Sequence, residues 1–120
     1  MTLPEFSKVR VEDYRDQNEI IRLTAEQVIK DFALFGIEVK FSGSITGAYD
    51  ELFEQLDSIL IDLLNSDYRK LLALLYHIDL SEKELNDRIS SHQGGPSEII
   101  TEMVLERELK KVLIRKFYKT

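Results

Sequence analysis

The chain contains no cysteine. That excludes disulfides, thiolate nucleophiles and Cys-ligated zinc. Histidine is nearly as scarce, with only His77 and His92. A carboxylate-bridged metal site in a helical bundle needs Glu-x-x-His on an inward face. Position 74, three before His77, is Leu, and position 89, three before His92, is Ile. No His-Glu-x-x-His is present either. Glycines are few and fit neither Gly-x-x-x-x-Gly-Lys-Ser/Thr nor Gly-x-Gly-x-x-Gly. The stretch GSITGAYD has no lysine, and Asp50 with Glu51 would repel phosphate at the helix start beside it. Turn formation accounts for Gly43, Gly47, Gly94 and Gly95 better than phosphate binding does. No serine lies in a Gly-x-Ser-x-Gly elbow. These absences assign no catalytic residue, no cofactor and no metal site.

Long apolar runs are also missing. The opening MTLPEFSKVRVEDYRD lacks the apolar core of a signal peptide, and no run approaches the length of a membrane span. The expectation is a cytoplasmic protein with no membrane span. The net charge of −6 disfavours nucleic acid as a partner of the domain as a whole, because phosphate repels a like-charged surface.

What is present is the patterning of a globular helical chain. Its 120 residues suit one domain, and 43% hydrophobic with 32% charged residues supports a sizeable core. From about Val11 to Phe35, the residues Ile21, Ala25, Val28, Phe32 and Phe35 recur at spacings of four and three, one face of a helix. Gly36 follows where a helix C-terminus favours positive φ. Ile37, Val39 and Phe41 then alternate with Glu38, Lys40 and Ser42, which reads as a short β element within 37–46 or as an extended linker. A second helix starts near Thr46 or Ala48, with Leu52, Leu56, Ile59, Leu60, Leu63 and Leu64 as its stripe and Phe53 beside it.

Asn65, Ser66 and Asp67 are each able to cap a third helix, about Asp67 to Ile78. Its Tyr68, Leu71, Leu72, Leu74, Leu75 and Ile78 point almost all round, which predicts a helix buried on most sides. Ser81-Glu82-Lys83-Glu84 is a capping-box pattern opening a short peripheral helix anchored by Leu85 and Ile89. Residues 90–96 read as a loop, and Ser97 as the cap of a last helix, about Glu98 to Tyr118. The expected fold is mainly α: a single-domain bundle of about five helices over residues 1–120. Two long outer helices pack around a central pair, with the fourth helix outside.

The stripe of the last helix drifts from Ile100, Met103 and Val104 to Leu105, Leu109, Val112, Leu113 and Phe117. A drifting stripe implies different neighbours at the two ends, one of which can be a second subunit. Leu105, Leu109, Val112 and Phe117 are therefore the candidate interface. Charge is segregated as well. From Ala48 to Asp67 there are acids but no Lys or Arg, and from Lys110 onward there are cations but no acid. Ordinary complementarity to helix dipoles explains much of this. It also fits an acidic helix lying near a basic helix end, within or between chains. A third reading makes the basic, aromatic KKVLIRKFYK a nucleic-acid or anionic-membrane contact.

A helix–turn–helix reading of the third and fourth helices fails on charge. The would-be recognition helix carries Glu82, Glu84 and Asp87 against Lys83 and Arg88. His77 follows an aliphatic run at a helix C-terminus, where an imidazole packs or caps favourably. Asp79, two residues on, lies on the far side of a continuing helix. The leading functional expectation is a non-enzymatic interaction module that forms a homo-oligomer or binds a protein partner through a helical face. The alternative is a small-ligand-binding or regulatory protein with a pocket between the central helices, where Tyr76 and His77 supply polar contacts. A third is an enzyme whose carboxylates and His77 meet from distant positions.

Overall fold

The computed structural model describes residues 17–43, 47–91 and 94–118, with 117–118 as backbone only. Among the described residues five helices follow one another: α1 (Asn18–Ala33), α2 (Ala48–Ser66), α3 (Tyr68–Ile78), α4 (Glu82–Ser91) and α5 (Pro96–Tyr118). The mainly α expectation holds. The expected helix from Val11 is seen from Asn18; Val11 to Asp16 lie outside the described residues.

The helix ends follow local chemistry. After α1, Gly36 takes φ 73°. Its N–H donates to the Ala33 carbonyl (3.0 Å), and the Ile37 N–H reaches back to Phe32 (3.1 Å). These are the paired bonds of a Schellman motif, which satisfy carbonyls the helix leaves open. Asp67 caps α3 by accepting from the Lys70 N–H at 3.2 Å. Ser81 caps α4 by accepting from the Glu84 N–H at 3.1 Å, while its hydroxyl meets the Glu84 carboxylate at 3.2 Å. Ser97, expected as the cap of α5, lies instead inside the helix. Pro96 opens α5, a position where its missing N–H costs nothing, and the Ser97 carbonyl accepts from the Thr101 hydroxyl at 2.8 Å.

The segment after Gly36 is extended but makes no strand among the described residues. The alternation is real: Val39 is buried, Ile37 and Phe41 are half-buried, and Glu38, Lys40 and Ser42 are exposed. Its partner is α2 rather than a second strand. The Gln55 amide accepts from the Lys40 N–H (2.7 Å) and donates to the Lys40 carbonyl (2.6 Å), as a neighbouring peptide would. Glu51 accepts from the Ser42 N–H (2.7 Å) and hydroxyl (2.8 Å). Those two donors hold the Glu51 carboxyl below the usual range. Residues 44–46, the suggested return strand, lie outside the described residues.

The centre of the bundle is α5, not α3. Ile99, Ile100, Met103, Val104, Leu105, Leu109, Val112 and Leu113 are all buried. That drift of apolar positions surrounds α5 with α1, α2, α3 and α4, each of which packs on it. The stripe of α3 is narrower than its composition suggested. Leu71, Leu74, Leu75 and Ile78 are buried, Leu72 is half-buried, and Tyr68 and Tyr76 are exposed. An amphipathic helix buries one stripe against the core and leaves the opposite face to solvent. α1 and α5 run antiparallel, since Glu19 faces Lys116 while Asp31 faces Lys111.

Candidate functional site

Two features stand out along the α1–α5 seam. The first is an open groove of about 780 Å³. Leu23 from α1 and Val112 and Ile114 from α5 supply its apolar floor, and Glu19, Glu26, Lys30, Arg115 and Lys116 supply its charged rim. Helical spacing produces the α1 wall, because positions 19, 23, 26, 27 and 30 share a face. Ile114 is 40% exposed, an aliphatic side chain left partly in water. On the rim Glu26 pairs with Arg22 at 2.7 Å and Glu19 with Lys116 at 4.0 Å.

The second is a buried charge cluster at the inner end of the seam. Glu108 is fully buried, and Asp31 nearly so. The Lys111 ammonium lies 3.1 Å from Asp31 Oδ2 and 3.0 Å from Glu108 Oε1. Only the first contact has hydrogen-bonding alignment; neither Glu108 oxygen meets a donor along a bond line. Burial pushes the Glu108 carboxyl up to about 8, and the hydrogen bond and charge of neighbouring Asp31 add to that against the pull of Lys111. Glu108 is therefore the protonated partner of a carboxyl–carboxylate pair at neutral pH. For Asp31, burial acts upward, but bonds with Glu108, Gln27 and Lys111 and the Lys111 charge outweigh it and hold the carboxyl below its usual range. Lys111 is raised, because its two acidic neighbours overcome the opposing effect of burial.

Gln27 joins the two features. Its amide donates to Asp31 Oδ1 at 3.1 Å and accepts from Arg115 at 2.6 Å, and it also lines the groove. The cluster thus sets the spacing of the groove walls: α1 and α5 are tied by Asp31–Lys111 at one level and by Gln27–Arg115 at the next.

The residues singled out from sequence fall elsewhere. Leu105 and Leu109 are fully buried and Val112 nearly so, all within this one chain. Within the chain these three residues of the drifting stripe are covered by intrachain neighbours. Only Val112 touches the groove, from its floor. The Phe117 side chain lies outside the described residues, as does His92. Tyr76 and His77 do not line the groove. Tyr76 is 83% exposed. The His77 ring packs edge-on against Phe35, with Nε2 3.4 Å from Asp31 Oδ1. The carboxylate beside His77 is thus Asp31 of α1. Asp79, two residues away, turns left-handed (φ 76°) and pairs with Arg107 of α5.

Sequence reasoning missed Asp31 and Glu108. A signal existed: Glu108 falls within the spacing of Leu105 and Val112, and Asp31 within that of Val28 and Phe32. An acid on an apolar stripe is one that must find a proton or a partner. No three acidic or histidine side chains among the described residues are arranged to hold a metal ion. No described helix is long and apolar enough to cross a membrane. Neither a protein-family model, nor a curated protein, nor a solved structure matches this chain.

Proposed function

We propose that the chain is a non-enzymatic, cytoplasmic interaction module that docks a protein helix in the α1–α5 groove. The observation that carries this reading is the groove itself: an apolar floor of Leu23, Val112 and Ile114 within a rim of both charge signs. An amphipathic helix binds such a surface by its apolar face, and rim charges set register and partner choice. Tying α1 to α5 through buried charges preorganises the walls, which lowers the cost of binding.

Native mass spectrometry of the freshly purified chain, alongside an Ile114→Asp variant, tests the reading. Species heavier than the 14.0 kDa chain are expected for the wild type. They should be lost on Ile114→Asp while the melting temperature is kept, since Ile114 is already partly exposed. Heavy species that survive the substitution would count against it, whereas a bare monomer leaves a different protein as the occupant of the groove.

A second reading is favoured by the groove volume, which lies in the range of small-molecule pockets. It replaces the Tyr76–His77 pocket with this groove. A constant small mass added to each chain, and lost on Ile114→Asp, would move this reading to first place.

A further inference from the structure

The outer face of α2 carries the features a groove occupant needs. Phe53, Asp57 and Leu64 are half-buried and Ile61 is 42% exposed, at positions that share one side of the helix. Tyr68, 44% exposed, opens α3 just beyond the Asp67 junction. Around them lie the exposed acids Glu54 and Asp62, and α2 contains no Lys or Arg. The groove offers the opposite: three apolar side chains on its floor, with Lys30, Arg115 and Lys116 on its rim. The rim acids are already engaged, Glu26 by Arg22 and Glu19 by Lys116, so the positive balance of the rim comes from Lys30 and Arg115. Arg115 bonds the neutral Gln27, so that contact leaves its charge uncompensated.

We propose that the occupant of the groove is a second copy of this chain, which inserts the acidic outer face of its α2 around Ile61 between α1 and α5. The proposal rests on the docking reading above and names its partner. Each chain carries both surfaces, so a two-fold dimer uses each of them twice. Apolar contact about Ile61 and Ile114 supplies affinity. The acid-to-base match supplies orientation and excludes stacking of like faces.

Two charge-reversed variants decide it. In one, Glu54→Lys and Asp62→Lys make the α2 face basic. In the other, Lys30→Glu and Lys116→Glu make the rim acidic. Sedimentation equilibrium over a concentration series should show wild-type self-association, weakened about tenfold or more in each variant alone. An equimolar mixture should recover the wild-type strength, because every cross-contact then again joins opposite charges. Circular-dichroism melts of each variant confirm that it is folded.

A wild type that stays monomeric throughout overturns the second-copy proposal and leaves docking of a different protein intact. Association indifferent to both variants, or variants that weaken it but do not complement each other, overturns the assignment of faces. Association that also survives Ile114→Asp removes the groove reading itself, which separates the two failures.

Discussion

At the scale of single residues, the most consequential one is Glu108. Its carboxyl is raised from 4.5 to about 8 by burial and by Asp31, so the folded chain holds a proton that the unfolded chain releases. A raised folded value contributes stability that is complete below about pH 4.5 and is lost as pH climbs through about 8. The whole span corresponds to an upper bound of about 5 kcal/mol. Asp31 runs the other way. Its lowered value contributes stability above 3.8 that is lost as pH falls through the folded value. Urea midpoints measured from pH 5 to pH 9 should therefore fall steadily for the wild type. Glu108→Gln keeps the shape and the neutral state and can donate to Asp31, so it should flatten that decline; an equally steep fall in the variant would remove Glu108 as its source. Asp31→Ala leaves Lys111 and Gln27 without their shared acceptor and should destabilise the chain by about 3 kcal/mol. Asp31→Asn, which keeps the shape, should cost less in the same denaturation assay.

At the scale of elements, the helices divide by which face is covered. Leu75 is 1% exposed and Leu72 only half-buried. Leu75→Ala should cost about 2–5 kcal/mol, and Leu72→Ala clearly less, by chemical denaturation. Equal costs would mean that α3 is buried all round after all. The end of α3 offers a second check. Asp79 holds φ 76°, where an L side chain costs about 1 kcal/mol against glycine. Asp79→Gly should lose the Arg107 pair but gain backbone freedom, and so leave the melting temperature within a few degrees of wild type. Asp79→Val, which loses the pair and strains a β-branched side chain, should lower it well beyond that. The extended segment depends on one side chain in the same way: Gln55→Ala frees the Lys40 N–H and carbonyl, and amide exchange at Lys40 should speed up while the helices keep their protection.

For the molecule as a whole, two kinds of electrostatics operate and respond differently to salt. The exposed charges of the rim and of α2 are screened within about 8 Å at physiological ionic strength, whereas the buried Asp31–Glu108–Lys111 group is not. Raising salt from about 0.05 to about 0.5 M should weaken self-association while leaving the pH dependence of unfolding largely in place. If both quantities moved together, one charge system would have to serve both roles.

The sequence by itself determined the helices, their order and most of their ends. It did so because period, caps and turn residues act over a few positions: Gly36 after Phe35, Asp67 before Tyr68, Ser81 three residues before Glu84. It also carried the alternation of residues 37–42, although not the partner of that segment, because a Gln side chain on the next helix satisfies the backbone as well as a strand does. Only the tertiary structure decided which helix is central. Both α3 and α5 are rich in apolar residues, and the choice rests on which faces the neighbours actually cover. The candidate site was decided at the same level. Asp31, His77 and Glu108 lie on three different helices, and the groove exists only where α1 and α5 lie side by side. No local pattern records that juxtaposition, since bringing together residues so far apart along the chain is a property of packing rather than of any one helix.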